Sequence, residues 1–128
     1  PIACAAACAN LAIWDEEPVL ARIGSLAERQ ARHVAALQDH PAVANARQCG
    51  TIAAFDVVAP DQGYLSVLGP ALYRYFLGRG VLLRPLGNVL YVLPPYCITG
   101  DELDAVHAAI HDALDLVRRG SPLEPLGH

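Results

Sequence analysis

From Pro1 to Trp14 nearly every side chain is apolar, with Asn10 the exception. The pattern predicts a helix that is apolar all round, the kind that lies buried inside a larger body. Proline suits its first turn and no capping residue precedes it, so the chain is expected to extend upstream. Asp15 is expected to cap a second, long helix, with Glu16 and Glu17 in its acidic first turn and Pro18 tolerated there. Leu20, Ile23, Leu26 or Ala27, Gln30, Val34 and Leu37 give that helix a stripe broken once by a polar residue. Gly24 costs it about 1 kcal/mol of propensity, which close packing would explain. The stripe ends near Gln38-Asp39-His40-Pro41. His33 and His40 read as surface residues of this helix.

Ala42–Gln48 and Thr51–Ala59 read as two strands around Cys49-Gly50, the second apolar except for Asp56. Pro60-Asp61-Gln62-Gly63 reads as a turn. Gly69-Pro70 opens a helix to about Leu77, with Leu68, Leu72, Tyr75 and Phe76 inward and Gly80 placed to end it. Gly80 to Tyr96 then shows two apolar runs around Gly87-Asn88, a pattern that predicts a hairpin or a close pair of strands. If Leu86 to Asn88 make the bend, Arg84 lies nearly opposite Tyr91, which sets a guanidinium and a phenol beside an apolar patch. An arginine so placed can clamp a carboxylate through two parallel hydrogen bonds, or it can be a solvated charge on an edge strand.

The last helix carries the clearest signals. Thr99-Gly100-Asp101-Glu102 fits a capping box, and Leu103, Val106, Ile110, Leu114 and Val117 make a core stripe. Arg118 and Arg119 favour the C-terminal end and Gly120 stops it. His107 and His111, one turn apart, read as part of a solvated face. The order of elements predicts an α+β domain with a small, mostly antiparallel sheet and helices packed on it. The chain is expected to divide into a terminal helix (1–14), a connecting helix (15–40), a small domain (41–120) and a flexible tail (121–128).

Composition sharpens this picture. The chain has 128 residues, 54% hydrophobic and 17% charged, against about 25% charged in ordinary soluble domains. Such a chain is expected to bury surface against the rest of its own polypeptide or another subunit. A net charge of −4 argues against nucleic acid and anionic membranes as partners. Its apolar runs are too short to span a bilayer, and no signal peptide is evident. The four cysteines, Cys4, Cys8, Cys49 and Cys97, read as small buried thiols in a reducing compartment rather than metal ligands. All nine basic residues are arginines. With no lysine the chain can form no lysine Schiff base and use no lysine nucleophile. It also lacks a phosphate loop and a nucleophile elbow.

Gly80-Val81-Leu82-Leu83-Arg84-Pro85-Leu86-Gly87 followed by Tyr91-Val92-Leu93-Pro94-Pro95-Tyr96 is similar to a family pattern, G-V-W-x-R-P-F-G, a spacer, then Y-x-M-P-P-Y. Pro1-Ile2-Ala3-Cys4-Ala5-Ala6-Ala7 resembles a second family segment, N-P-L-A-C-A-A-A, and the likeness holds in order over nearly the whole chain. On these motifs the chain resembles the C-terminal part of the class III, fold-type I aminotransferases that depend on pyridoxal phosphate, in particular the branch acting in biotin synthesis. The resemblance implies a cytoplasmic homodimer with active sites at the subunit interface. It implies transfer of the amino group of S-adenosylmethionine to 8-amino-7-oxononanoate, giving 7,8-diaminononanoate. It makes Arg84 the residue that meets the distal carboxylate of the keto acid and Tyr91 a tyrosine near the substrate. Catalytic and cofactor-binding residues are expected upstream, so this chain alone is expected to bind no cofactor and to be inactive. Leu82, Leu86 and Leu93 replace the family's tryptophan, phenylalanine and methionine, which keeps the site apolar but thins its aromatic wall. The competing readings are a stand-alone binding or structural module and a class III aminotransferase with another amino acceptor.

Overall fold

A computed structural model of the chain describes residues 1–59 and 67–124. In order it holds α1 (Ile2–Glu16), α2 (Val19–Leu37), β1 (Val43–Cys49), β2 (Ile52–Val57), α3 (Leu68–Leu77), β3 (Val89–Val92) and α4 (Gly100–Arg118). The strands form one antiparallel sheet in the order β1-β2-β3, so the architecture is the expected α+β. The turn expected at Pro60–Gly63 lies outside the described residues.

The central strand sets the core. Ala53, Phe55 and Val57 of β2 point the same way, as the two-residue period requires, and are buried with Leu90 and Val92 of β3. They form one cluster with Leu72, Tyr75 and Phe76 of α3 and with Leu103, Ile110 and Leu114 of α4. The β1–β2 register slips by one residue between Ala44 and Arg47, and Asn45 sits there at φ 51°. Asparagine tolerates this left-handed conformation better than most residues, so the bulge falls on a suitable side chain. Asn45 Nδ2 donates to Asp56 at 2.8 Å and Arg47 Nη1 at 3.0 Å. The Asn45 bond foremost, then Arg47, holds the Asp56 carboxyl below its ordinary range.

The later helix ends obey their local signals. Thr99 Oγ1 accepts from the Glu102 amide at 3.2 Å, and Glu102 accepts from the Thr99 amide at 2.8 Å. Both α3 and α4 close on glycine in the left-handed region. Val81 N donates to Phe76 O and Gly80 N to Leu77 O; Ser121 N donates to Leu116 O and Gly120 N to Val117 O. These are paired Schellman bonds. Residues 121–124 are less free than expected, because Leu123 packs against the core and Arg79 donates to Glu124 O at 3.2 Å; the rest of the tail is outside the described residues.

Four expectations need correction. Asp15 does not cap α2: α1 runs through it to Glu16, and α2 begins after Pro18 with no side-chain cap. Alanine propensity carries α1 on until proline removes a backbone donor. Gly24 has nothing within 4 Å of where a Cβ would sit, so no close packing within the described residues explains it. All four cysteines are exposed: no residue of α1 is buried, Cys49 ends β1 and Cys97 lies in the turn before α4. His107 is not on a solvated face: it is 1% exposed.

His107 joins α4 to α2. Gln30 Nε2 donates to Thr51 O at 3.0 Å, which turns Gln30 Oε1 toward His107 Nε2 at 2.7 Å. The imidazole must therefore carry its hydrogen on Nε2, and Nδ1 is left buried without a partner among the described residues. Its ring stacks on His33 at 4.0 Å, and His33 Nε2 lies 2.8 Å from Asp104 Oδ1. Arg29 Nε donates to the same carboxylate oxygen at 2.8 Å. His40, 6.3 Å from His111 edge to face, and Asp115 continue the row. Burial first, then the charge of His33, pushes His107 down to about 3 from its ordinary 6.5. His111 is lowered too, again by burial first.

A base whose folded pKa is depressed contributes stability in full above its unfolded pKa, and loses it as pH falls toward the folded value. Thermal unfolding of the chain is therefore expected to shift to lower temperature between about pH 7 and about pH 5. In His107→Gln, whose amide can donate to Gln30 without titrating, the shift should be shallower. Parallel pH profiles of the two proteins would contradict this account of the seam.

Candidate functional site

Arg84 and Tyr91 meet in one cleft of about 880 Å³, lined also by Gly69, Pro70 and Tyr73 of α3 and by Leu82, Leu86 and Leu93. The route from sequence to this placement is short. Leu90 and Val92 are committed to the core, so Tyr91 between them turns to the opposite face. The bend at Gly87-Asn88 brings the chain back with Leu86 bridged to Val89, their amides and carbonyls exchanging bonds of 2.9 and 3.0 Å. Extending that register by two residues sets Arg84 across from Tyr91.

The expected pair of strands is only half present. β3 is a strand, whereas residues 81–85 form no ladder with it beyond the Leu86–Val89 bridge. Pro85 has no amide to donate, and the Leu83 amide is turned to Val81 O at 3.2 Å. Proline also holds the preceding Arg84 in the extended region, so the arginine sits on a stiff segment that the sheet does not absorb.

Arg84 is exposed and makes no hydrogen bond or ion pair among the described residues. Tyr91 is half-buried. Three leucines of the cleft stand unusually open, Leu82 at 76%, Leu93 at 60% and Leu86 at 51%. The arrangement is a cation without a counterion inside an aliphatic rim, with the Tyr91 and Tyr73 phenols to hand. Chemically it can receive a carboxylate on an apolar stem. A second cleft, of about 690 Å³ along α2, is lined by Arg22, Arg29, Arg32 and Tyr96. Two of its arginines are already engaged, Arg22 by Glu17 and Arg29 by Asp104.

Sequence reasoning did not single out Gly69 or Tyr73 as lining the cleft. The Gly69-Pro70 pair reads only as a helix start, and nothing local announces that this start lies beside Gly87. Among the described residues no group of three or more His, Cys, Asp or Glu could hold a metal ion. No helix among them is long and apolar enough to cross a membrane. With no lysine in this chain, a Schiff base to pyridoxal phosphate would need a lysine outside it.

Comparison with known proteins yields a consistent set. The family described as aminotransferase class-III matches residues 1–114. An adenosylmethionine-8-amino-7-oxononanoate aminotransferase from Synechococcus elongatus is 44% identical over 116 residues, 90% of this chain and 27% of the relative. The Helicobacter pylori protein of that name is 33% identical over 123 residues, 93% of this chain and 28% of the relative. A solved transaminase with L-alanine superposes with a TM-score of 0.82 at 28% identity, over 94% of this chain and 29% of that one. An omega transaminase from Pseudomonas jessenii in complex with PMP gives 0.75 at 27% identity, over 92% and 27%. The chain thus spans a little over a quarter of the length of these relatives.

Because Arg84 is exposed and makes no hydrogen bond or ion pair among the described residues, Arg84→Ala is expected to leave the stability of the chain unchanged within about 0.5 kcal/mol. A larger loss in denaturant titration would give the guanidinium a structural task instead.

Proposed function

The chain belongs to the class III aminotransferase family, and from that premise we propose that it serves as the C-terminal part of a pyridoxal phosphate-dependent enzyme of biotin synthesis. That enzyme moves the amino group of S-adenosylmethionine to 8-amino-7-oxononanoate. The observation that carries the reading is Arg84, a guanidinium unpaired among the described residues and set among aliphatic side chains in the cleft it shares with Tyr91. The curated relatives bearing the name of this activity support it.

The cofactor, when bound, supplies the electron sink that lets an amino group be exchanged. This chain supplies recognition. Arg84 receives the distal carboxylate of the acceptor bidentately, and the planar fork orients the acceptor along the cleft. Leu82, Leu86 and Leu93 cover its methylene stem and exclude water, which strengthens the ion pair. The Tyr91 phenol offers a further hydrogen bond. An acceptor lacking the carboxylate leaves the guanidinium desolvated and unpaired, so the contact discriminates as well as binds.

The cofactor is held by residues of the protein outside this chain, and the partners are the remainder of the polypeptide and a second identical subunit. The open apolar side of α1, with Ile2 88%, Leu11 64% and Trp14 42% exposed, supports such a covering surface. The setting is the cytoplasm. The omega transaminases among the structural neighbours favour a second reading, the same chemistry on another amino acceptor.

Substitution separates the two. In the enzyme that carries this chain, Arg84→Ala should cost ~2–5 kcal/mol in kcat/KM for the carboxylate-bearing acceptor, roughly 30-fold to several thousand-fold. The step that loads the amino group from the donor should be unaffected. Unchanged acceptor kinetics would reject the carboxylate clamp and favour a different acceptor.

A further inference from the structure

Gly69 lies in the first turn of α3, and a Cβ built on it would lie 2.9 Å from the carbonyl oxygen of Gly87. The next two atoms it would meet, at 3.6 and 3.7 Å, are also Gly87 backbone. No flexible side chain stands there to swing aside, and both glycines are buried on the wall of the Arg84 cleft. The situation differs from Gly100, whose added Cβ would press on the mobile guanidinium of Arg29, and from Gly24, which faces open space.

Which partner would yield can be read from how each is held. On one side α3 is anchored by Leu72, Tyr75 and Phe76, each at most 1% exposed. On the other, the turn after Gly87 is tied to the end of β2: Val57 N donates to Asn88 O at 2.8 Å and Asn88 Nδ2 to Val57 O at 3.4 Å. Gly87 itself is at φ 62°, a conformation that glycine adopts freely and a residue with a Cβ would not. Between them run residues 81–86, whose backbone, among the described residues, meets the sheet at the Leu86–Val89 bridge, while Leu83 anchors the segment in the core. Arg84 lies on it, three residues before Gly87 and held extended by Pro85.

We propose that Gly69 is a positioning residue for acceptor specificity: its missing side chain lets α3 seat against Gly87, and that seat sets where Arg84 presents its guanidinium. The inference rests on Arg84 being the carboxylate clamp. Gly69 touches no substrate; it acts through the backbone of the bend. A displacement of about 1 Å at a clamping group can cost on the order of 100-fold in rate. The effect is selective, because it falls on the carboxylate contact and not on the chemistry at the other end of the acceptor.

The test uses the whole enzyme with two acceptors, the keto acid and its methyl ester, and measures the donor step separately. Gly69→Ala should lower kcat/KM for the acid by about 10- to 100-fold. The ester, already poor, and the donor step should change little. Arg84→Ala, measured beside it, should show the same selectivity. Should Gly69→Ala not fold, Gly87→Ala, strained at φ 62°, shifts the bend on which α3 is seated and is read in the same assays. Equal losses for acid and ester in the glycine variant, with Arg84→Ala still selective, would make Gly69 merely structural and overturn the proposal while the clamp stands. Equal losses in Arg84→Ala itself would remove the clamp, and the proposal with it.

Discussion

The burial of one face of β2 and β3 is the constraint that determines the other placements. Phe55, Val57, Leu90 and Val92 reach the core only in one register, and a slip of one residue would turn every one of them to the other side. That register sends Tyr91 outward. The bend bonded to the end of β2 then returns the chain so that Arg84 faces the same cleft. A guanidinium that would be costly to bury unpaired is thus held open, on a segment too proline-restricted to join the sheet. The site is a by-product of packing on the far side of the strand.

The same logic shows which parts of the fold were legible in the sequence. The capping box of Thr99 and Glu102 and the closing glycines Gly80 and Gly120 were readable because each is a short-range device, complete within a few residues. The stripe of α4 was readable because its period is local. His107 was not. Its burial depends on Gln30, 77 positions away, offering an acceptor that is itself oriented by Thr51 O. A histidine beside charged neighbours looks solvated until that partner is known. The bulge at Asn45 and the run of α1 beyond Asp15 were not legible for a related reason. Asn45 takes its conformation from its pairing with β2, and α1 ends where Pro18 stops it, not at the first residue able to cap a new helix.

For the site, the pattern around Arg84 and Tyr91 was enough to bring the two side chains together, but not to foresee the geometry. The expected hairpin of two full strands is a single strand and a bridge. The close seat of Gly69 on Gly87 joins two separate segments and has no signature beyond the glycines. The absence of lysine, visible at once, separates two tasks that a transaminase must combine. The Arg84 cleft is proposed to recognise a carboxylate, and a lysine Schiff base would need a lysine outside this chain.

The most direct measurement is of the protein as cells make it. It would be captured with an antibody to α4, weighed intact, and tested for the absorbance of bound pyridoxal phosphate. A polypeptide much heavier than 13.6 kDa that contains this sequence and carries the cofactor is the predicted result. A colourless product of 13.6 kDa would contradict it, and would make the Arg84 cleft the binding site of a protein that is not a transaminase.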